Sequence, residues 1–597
     1  MKTYVFDLEV YRNYFLACFA DVDSDETHSF EYPLDKEKLI NLVENNRLIG
    51  FNSLNYDLPI LHAALGDRTE DKIKNISDRL IKNGWRYWQT YDAIGVKKPL
   101  NIDHIDLIEV APGKASLKIY GGRMHSKRMQ SLPIHHDAWL THGDKKLIKD
   151  YCINDLSVTK DLYNALSKQL DLRAEISKEI NSNVMSKSDA QIAEAVFKSR
   201  IPNVQKPKED SIVSSFNYKV PDFIRFKTQK MKDILKRIAD YTFTVAETGK
   251  CIFPKDLTGY VHYTKTGIPK DEPAIELFGK KYMMGIGGLH STEKSISHLS
   301  TAKEFLADHD VASYYPSIIL NQGLYPDGCG PEFLTAYRTI YEQRLKAKAM
   351  SDKVTANTLK ITLNGSFGKL GSKYSFLFAP QLLIQTTLTG QLALLMLIEQ
   401  FEIAGIPVVS ANTDGVVVKC PVERELDMYD VILHWESQTE FVTEENRYAA
   451  LYSKDVNNYI ALQNDGGVKT KGLYAGAGLM KNVTNPVCVR AVIEYLQKGI
   501  DIETTIKACN DIRYFVTIRT VKGGAIDQTG ADLGTAIRWY YATGVDGPIK
   551  YAVNGNKVPK SEGAKACQLL PDDLPKDIDY AWYVAEAERI LEDIGFA

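Results

Sequence analysis

The sequence lacks the features that mark several common protein classes. Its eight cysteines are scattered over 597 residues without a Cys-x-x-Cys pair, which argues against a zinc ribbon or a disulfide framework and fits a reducing compartment. Neither sign of charge dominates, since 73 Lys and Arg face 76 Asp and Glu, so the total gives no basic signature, although a negative outer surface can offset a basic groove. No stretch approaches the roughly 18 apolar residues of a membrane span, and no Gly-x-x-x-x-Gly-Lys-Ser/Thr loop is present. We therefore expect a soluble, cytoplasmic protein without a P-loop.

What is present indicates a globular chain of several domains. Apolar residues make up 44% and charged residues 25%, and the chain is too long for one core. Residues 1–100 alternate strands and helices, beginning with a strand-like MKTYVFDLEVYRN rather than a signal peptide. Residues 145–200 are helical, 203–275 read as a connector, and 331–363 give two helices with a polar break at Ser351-Asp352. The segment IPVVSANTDGVVVK predicts a hairpin.

Acidic residues near the N-terminus are spaced as a metal-binding set requires. Asp7 and Glu9 leave the same face of a strand, and two carboxylates so close need a cation to stay ionised. Asp57 follows the strand end GFNSLNYD, and Tyr151 and Asp155 share one helix face. Taken singly, Asp57 is equally well explained as a helix cap and Asp155 as a solvated helix acid. It is the order of these acids along the chain that indicates a metal site.

These segments, Phe-Asp-Leu-Glu, Asn-Ser-Leu-Asn-Tyr-Asp and Tyr-x-x-x-Asp, resemble the three exonuclease motifs of the DEDD superfamily in its tyrosine variant, over residues 1–170. The resemblance implies that the carboxylates hold two metal ions and that Tyr151 orients the attacking water. It also implies that Asn55 contacts the DNA strand, although Asn55 fits equally well as a residue that shapes the turn.

A second set begins with Asp310-Val-Ala-Ser-Tyr-Tyr-Pro-Ser-Ile-Ile319, an acid at the end of an apolar strand followed by a polar turn. It resembles motif A of the B-family DNA polymerases. By that resemblance Asp310 binds both catalytic metals, and Ser313 and Tyr315 bind the incoming nucleotide. A ring at Tyr315 leaves no room for a 2′-hydroxyl, the group that distinguishes RNA from DNA precursors.

About a hundred residues later, Ser410-Ala-Asn-Thr-Asp-Gly415 resembles motif C, Tyr-x-Asp-Thr-Asp-Ser. The resemblance implies that Asp414 binds the catalytic metals. Asn412 stands where the family has its first Asp, and an amide supplies no charge. Ser410 and Gly415 replace Tyr and Ser.

Cations that could neutralise a triphosphate lie between these motifs. Arg344 and Lys348 are four apart on one helix, and Lys360 and Asn364 are four apart on the next, so each pair projects from one face. If the helices pack antiparallel, the four side chains converge as a phosphate clamp. For any one of them, a solvated helix face is the alternative.

The segment Lys360-Ile-Thr-Leu-Asn-Gly-Ser-Phe-Gly368 resembles motif B, with Gly365 for Ser and Phe367 for Tyr. Phe367 would support the nascent base pair, and Gly368 would allow close approach of the template.

More loosely, Gly287 and Gly288 resemble a Gly-Gly linker that contacts template phosphates, and Lys471 resembles a late Lys-Gly motif at the primer duplex. Such contacts grip phosphate and carry little sequence information.

The resemblance implies a multidomain α/β and α+β chain, in which an RNase H-like exonuclease domain precedes a right-hand polymerase of palm, fingers and thumb. The predicted domains are the exonuclease (1–170), a connector with the start of the palm (171–300), the palm with motif A (301–330), the fingers (331–370), the palm with motif C (371–470) and the thumb (471–597).

We expect primer-dependent DNA synthesis from dNTPs with 3′→5′ proofreading, using two Mg²⁺ ions per site, with Mn²⁺ as a substitute. The expected partners are primer-template DNA, dNTPs and an unidentified processivity factor; we expect no membrane association and a monomer. The short span between motif A and the fingers leaves no room for the insertion of protein-primed relatives, so we expect a nucleic-acid primer and a bacteriophage-like enzyme in the host cytoplasm. Alternatives are an exonuclease with an inactive polymerase half, a non-catalytic DNA-binding scaffold, and an RNA polymerase or primase if Tyr315 does not exclude the 2′-hydroxyl.

Overall fold

We describe the protein from a computed structural model that covers residues 1–66, 68–85, 87–95, 100–207, 213–254, 257 and 274–596. Of the predicted connector, residues 208–212, 255–256 and 258–273 lie outside these described residues.

The N-terminal part is a mixed sheet with helices packed on it. Its elements are β1 (Thr3–Tyr11), β2 (Tyr14–Asp21), β3 (Thr27–Glu31), α1 (Lys36–Asn45), β4 (Arg47–Gly50), α2 (Asp57–Leu65), α3 (Glu70–Asn83), α4 (Tyr87–Ile94), β5 (Asp103–Asp106), α5 (Leu107–Val110), α6 (Leu117–Arg123), α7 (His142–Ala165) and α8 (Ser167–Glu179). The strand order is β3-β2-β1-β4-β5, with β1 antiparallel to β2 and parallel to β4. The helix α7 contacts β1, β2 and β4. The central strand β1 therefore has a sheet neighbour on each side and a helix across it.

The middle part contains the largest sheet and the longest buried helix. Its elements are α9 (Asp189–Arg200), β6 (Ser215–Asn217), α10 (Gln229–Asp240), β7 (Thr242–Val245), β8 (Cys251–Ile252), β9 (Ala274–Leu277), β10 (Lys280–Met283), β11 (His290–Ser291), β12 (Lys294–Leu299), β13 (Glu304–Val311), α11 (Tyr314–Asn321), α12 (Glu332–Ala349), α13 (Lys353–Lys369), α14 (Pro380–Ile403), β14 (Val408–Asn412), β15 (Gly415–Pro421), α15 (Glu425–Thr439), β16 (Thr443–Asp455), β17 (Asn458–Gln463) and β18 (Val468–Lys471). The strand order is β18-β17-β16-β13-β15-β14-β11-β10-β9, with β12 paired to β16.

The C-terminal part adds another sheet. Its elements are α16 (Pro486–Lys498), α17 (Ile502–Lys507), β19 (Thr517–Ile526), β20 (Asp532–Tyr541), β21 (Pro548–Tyr551), β22 (Lys557–Glu562), β23 (Ala564–Ala566) and α18 (Tyr580–Asp593). The strand order is β22-β21-β19-β20-β23.

Several local predictions are confirmed. The two helices predicted at 331–363 are α12 and α13, and Asp352 in the polar break caps α13 by accepting from the Thr355 N–H at 3.1 Å. The segment predicted as a hairpin forms β14 and β15. The fold is a mixture of α and β structure with several sheets, as expected; the assignment of each sheet to a named domain stays a prediction.

The helix α14 corrects the expectation that no segment approaches a membrane span. This helix is long and apolar enough to cross a membrane, but 83% of its most apolar segment is buried inside the protein. Its buried polar residues are bonded; the Gln391 side chain, for example, donates to the carbonyls of Gly285 and Gly287 at 2.8 and 2.9 Å. These features are those of a core helix.

Contacts divide the chain into two units. The first contains Met1–Ser188, Gly476–Glu494 and Ile500–Ala587, and the second contains Asp189–Ala475, Tyr495–Gly499 and Glu588–Ala597. Within the first unit the fully buried Arg538 of β20 donates to the carbonyls of Ser126 and Cys567 at 2.9 and 2.7 Å. The C-terminal sheet is therefore tied to the N-terminal residues of its own unit. The finer division into the predicted domains is not tested by these contacts and stays a prediction.

Glu399 of α14 provides a test of the core of the second unit. Its carboxylate is fully buried and accepts from the backbone N–H groups of Lys227 and Thr228 at 2.7 and 2.8 Å. Glu399→Ala leaves these donors without partners and should lower the free energy of unfolding by about 3 kcal/mol. Guanidinium denaturation would measure the loss. Glu588→Ala, at an exposed position of α18, is the matched control and should change stability by less than about 0.5 kcal/mol; equal effects would contradict the structural role.

Candidate functional site

The acidic residues predicted near the N-terminus form a cluster in the first unit. Asp7 and Glu9 lie on β1, Asp57 is the first residue of α2, and Asp155 lies in α7. Burial raises the pKa of Asp7 well above its usual range, and the charges of the other three raise it further. Burial raises the pKa of Asp57 to about 8. The fold therefore brings the four together at a cost in electrostatic energy that a bound cation would relieve. We call these four residues the N-terminal carboxylate cluster.

Two further side chains lie beside this cluster. Burial raises the pKa of Asp155, and a hydrogen bond with Tyr151, which is buried in α7, opposes that shift. The Nζ atom of Lys118 lies 4.9 Å from the centroid of the Tyr151 ring. Burial also raises the pKa of Glu9, and the charge of Lys118 opposes the shifts of both acids. The sequence analysis did not identify Lys118, because nothing in its spacing shows that α6 contacts α7.

Neighbouring polar residues have structural roles. Asp106 is fully buried and accepts from the backbone N–H groups of Asn52 and Leu54 at 2.8 and 2.9 Å, so it holds the loop that precedes Asp57. Asn55 donates to the Asn52 side chain at 3.4 Å. This contact fits the expectation that Asn55 shapes the turn; its predicted contact with DNA is not tested.

A second acidic site lies at the strand ends of the large sheet. Asp310 at the end of β13 pairs with Gly415 of β15, and the Val311 N–H donates to the Asp414 carbonyl at 2.7 Å. Asp414 lies in the turn between β14 and β15. Both acids line a cavity of about 370 Å³, which we call the central cavity. Its lining includes Asp308, Asp310, Ser313, Arg344, Lys348, Asn412, Asp414, Glu444, Tyr448, Lys469 and Lys471.

The departures from motif C have physical reasons. A Cβ atom on Gly415 would lie 2.2 Å from Oδ1 of Asp310, so a serine at this position cannot fit beside the Asp310 carboxylate as it stands. The Asn412 side chain donates to the Val456 carbonyl at 2.8 Å and accepts from the Thr413 hydroxyl at 3.1 Å. Asn412 therefore ties the hairpin to the neighbouring turn and contributes no charge to the cavity.

The electrostatics of the central cavity resemble those of the N-terminal cluster. The pKa of Asp310 is raised to about 6, first by burial and then by the charges of Asp308 and Asp414. The pKa of Asp414 is also raised by burial, while the charge of Lys471 opposes the shift. Each site thus combines closely spaced acids with nearby lysines.

The predicted phosphate clamp is distributed over two helices. Arg344 of α12 donates to the Ser313 hydroxyl, and Lys348 pairs with Glu444 at 3.3 Å; both line the central cavity. Lys360 and Asn364 of α13 are exposed and lie outside the described lining. The structure thus brings two of the four side chains to the carboxylates, and convergence of all four stays a prediction.

The aromatic residues predicted to contact the nucleotide pack against each other. The ring centroids of Tyr315 and Phe367 are 4.5 Å apart, and burial raises the pKa of Tyr315 to about 12. A Cβ on Gly365 would lie 2.9 Å from the Ala193 Cβ of α9, which explains glycine in place of serine. A Cβ on Gly368 would meet nothing within 4 Å, so the helix surface there is open.

The residues predicted to contact DNA have varied surroundings. A Cβ on Gly288 would lie 2.6 Å from the Thr413 Cα, so Gly288 permits close packing against the hairpin turn. A Cβ on Gly287 would meet open space. Lys471 at the end of β18 lines the central cavity, and burial lowers its pKa. None of these observations tests DNA contact.

Among the cavity residues that the sequence analysis did not identify are Asp308 and Lys469. Lys469 lies 3.0 Å from Oδ2 of Asp308 and 3.5 Å from Oδ2 of Asp310. The alternation Asp308-His309-Asp310 was the available signal, since residues two apart on a strand share a face.

Comparisons with known proteins add little. No protein-family profile matches the sequence, and no curated protein matches it. Among solved structures, the family B DNA polymerase from the hyperthermophilic archaeon Pyrobaculum calidifontis is similar at 14% identity and a TM-score of 0.40, over 100% of this chain and 78% of that one. A likeness at this level is too weak to assign a function, so the residues of the two sites must do so.

The N-terminal carboxylate cluster provides a pH-dependent test. Because the folded-state pKa of Asp57 is raised from 3.8 to about 8, the metal-free folded protein binds this proton more tightly than the unfolded chain does. Stability from this group is therefore present at low pH and is lost as the pH rises through about 8. With EDTA present, Asp57→Asn should raise the thermal midpoint at pH above 8 by at least about 2 °C, and the gain should shrink towards pH 4.

Asp150→Asn, at an exposed position of α7, is the control and should leave the midpoint unchanged. A destabilising effect of Asp57→Asn at high pH would contradict the repulsion inferred for the cluster.

Proposed function

We propose that the chain is a primer-dependent, template-directed DNA polymerase of the B family with an intrinsic 3′→5′ exonuclease. The observation that carries the proposal is the presence of two separate groups of closely spaced carboxylates, one in each unit. Both contain the acids from which the exonuclease and polymerase motifs were inferred.

The donor chemistry of both sites fits Mg²⁺. The N-terminal cluster and the pair Asp310 and Asp414 offer carboxylate oxygens, the ligands that this hard cation prefers. The Cys152 thiol also lies near Asp7 and Glu9, but soft thiolate ligands suit metals such as Zn²⁺ rather than Mg²⁺. When bound, the cations would activate the attacking group and stabilise the leaving oxygen in an in-line displacement.

At the proposed exonuclease site, two side chains would act on the attacking water and on the phosphodiester that is cleaved. Tyr151 is held in α7 one turn from Asp155 and would position the attacking water through its hydroxyl. Lys118 would balance part of the negative charge that accumulates as the 3′ phosphodiester is cleaved.

At the proposed polymerase site, the cations of the central cavity would receive the triphosphate. Arg344 presents a planar guanidinium suited to bidentate phosphate binding, and Lys348 adds a point charge from the same helix face. Tyr315 and Phe367 would form the surface beneath the sugar and the new base pair. Lys471 would contact the primer backbone.

The biological setting is also a proposal. The described helix α11 ends at Asn321 and α12 begins at Glu332, so only ten residues, 322–331, connect them. This short connection favours a nucleic-acid primer over a protein primer. We propose a bacteriophage-type replication enzyme that acts as a monomer in the host cytoplasm, with a processivity partner still to be identified.

One alternative has a specific observation in its favour. Asn412 contributes no charge, and its side chain donates to the Val456 carbonyl. Both features are expected if the chain is an exonuclease whose polymerase half is inactive. Retention of Asp310, Asp414, Arg344 and Lys348 around one cavity favours an active polymerase. Incorporation of dNTPs onto a primed template decides between them.

Separate substitutions should separate the two activities. Asp310→Asn should reduce primer extension with Mg²⁺ by about 10²- to 10³-fold and leave degradation of single-stranded DNA intact. Asp7→Asn with Glu9→Gln should reduce degradation of single-stranded DNA and leave primer extension intact, because these two carboxylates belong to the exonuclease site. Gel assays of extension and of 3′ degradation on the same preparations measure both. Loss of both activities from either change, or neither activity in the unmodified protein, would contradict the proposal.

Tyr315 should determine the choice of sugar. Tyr315→Ala opens the space beneath the nucleotide and should raise rNTP relative to dNTP incorporation by about 10- to 100-fold. Single-nucleotide incorporation kinetics with matched rNTP and dNTP measure the ratio. Tyr314→Phe retains the ring beside Tyr315 and removes a hydroxyl that bonds the Gly390 carbonyl at 2.6 Å; it should not change selectivity. An unchanged ratio in Tyr315→Ala would exclude Tyr315 as the sugar filter.

A further inference from the structure

Asp308 is an acid of the central cavity that neither motif A nor motif C accounts for. It lies two residues before Asp310 on β13, so both side chains leave the same face of the strand. Its exposure is only 4%, and it lines the cavity beside Asp310 and Asp414. A carboxylate at this depth requires partners.

The partners of Asp308 connect it to Asp310. Its Oδ2 atom accepts from the Tyr448 hydroxyl and from Nζ of Lys469, the latter at 3.0 Å. The same Lys469 ammonium lies 3.1 Å from the Tyr448 hydroxyl and 3.5 Å from Oδ2 of Asp310. Lys469 is therefore shared between two carboxylates and lies closer to Asp308.

The charge of Asp308 matters because motif C lacks one. Asn412 is neutral, and its amide is engaged by the Val456 carbonyl. Asp308 thus supplies a negative charge beside Asp310 and Asp414 in a cavity that also contains Lys469 and Lys471. Without it, Lys469 would have Asp310 as its remaining carboxylate partner.

We infer that Asp308 is a positioning residue of the polymerase site: by holding Lys469 between itself and Asp310, it keeps the Asp310 carboxylate available to a divalent cation. This inference rests on the polymerase function proposed above. Asp308 acts through Lys469 and Tyr448, since its Oδ2 atom already accepts hydrogen bonds from both.

The inference predicts how the lysine behaves when its nearer partner is removed. In Asp308→Asn the amide carries no charge, so Lys469 should pair with Asp310 and compete with the incoming cation. Loss of a group that supports a ligand typically weakens metal affinity or activity by about 10- to 100-fold. In Lys469→Met the competing ammonium is absent, so the cation requirement should fall.

The first experiment is primer extension as a function of Mg²⁺ concentration. We expect the half-saturating Mg²⁺ concentration to rise about 10- to 100-fold in Asp308→Asn and to fall below the unmodified value in Lys469→Met. The matched control is Glu304→Gln: Glu304 lies on the same strand, pairs with Lys419 at 2.8 Å and is outside the described cavity lining. It should leave the requirement unchanged. Degradation of single-stranded DNA by the same preparations reports that each variant is folded.

The second experiment measures cation binding without turnover. The protein carries Asp7→Ala and Glu9→Ala, which impair the N-terminal site. It is titrated with Mn²⁺, and loss of the EPR signal of free Mn²⁺ reports binding of the cation at the remaining site. Asp308→Asn should weaken this binding, and the double change Asp308→Asn with Lys469→Met should restore much of it. A merely structural role for Asp308 predicts no such restoration.

The outcomes separate the two proposals. If the unmodified protein extends primers but Asp308→Asn matches Glu304→Gln in both titrations, Asp308 does not position the site. The same conclusion follows if the double change fails to restore binding, or if Lys469→Met alone raises the Mg²⁺ requirement. The result for Lys469→Met alone tests the inference even if Asp308→Asn does not fold. If the unmodified protein does not extend primers at any Mg²⁺ concentration, the proposed function itself fails.

Discussion

Repulsion between closely spaced carboxylates is the constraint on which both sites depend. An isolated anion avoids a low-dielectric interior, and several together raise one another's pKa. In this protein the first acids of each site lie on internal strands, Asp7 and Glu9 on β1 in one unit and Asp310 on β13, between β15 and β16, in the other. Each site keeps a lysine within reach, Lys118 in the first and Lys469 in the second. A bound cation would relieve the remaining repulsion.

Much of this arrangement could be predicted from the sequence because it depends on local periodicity. The alternation of a strand places Asp7 beside Glu9, and a polar turn between two apolar strands places Asp414 at a hairpin tip. Helix spacing relates Tyr151 to Asp155. These relations involve neighbours within a few residues, so their geometry follows from the element alone.

Contacts between distant segments could not be predicted in the same way. Lys118 approaches Tyr151 only because α6 packs against α7, and Lys469 of β18 reaches Asp308 of β13 across the two intervening strands β17 and β16. Glycine at 365 departs from the motif because Ala193 and the Asp189 backbone occupy the space that a side chain would need. The burial of α14 likewise depends on the surrounding core, since its composition alone is compatible with a membrane span.

The central claim is that synthesis and removal of nucleotides occur in one chain at separate carboxylate sites. Idling turnover tests it most directly: the purified protein is given primer-template, Mg²⁺ and only the next correct dNTP, and dNMP release is followed over time. The account predicts continuous release of dNMP that requires the primer-template, because each added nucleotide is removed and replaced. A single incorporation without dNMP accumulation, or dNMP formed in the absence of DNA, would contradict it.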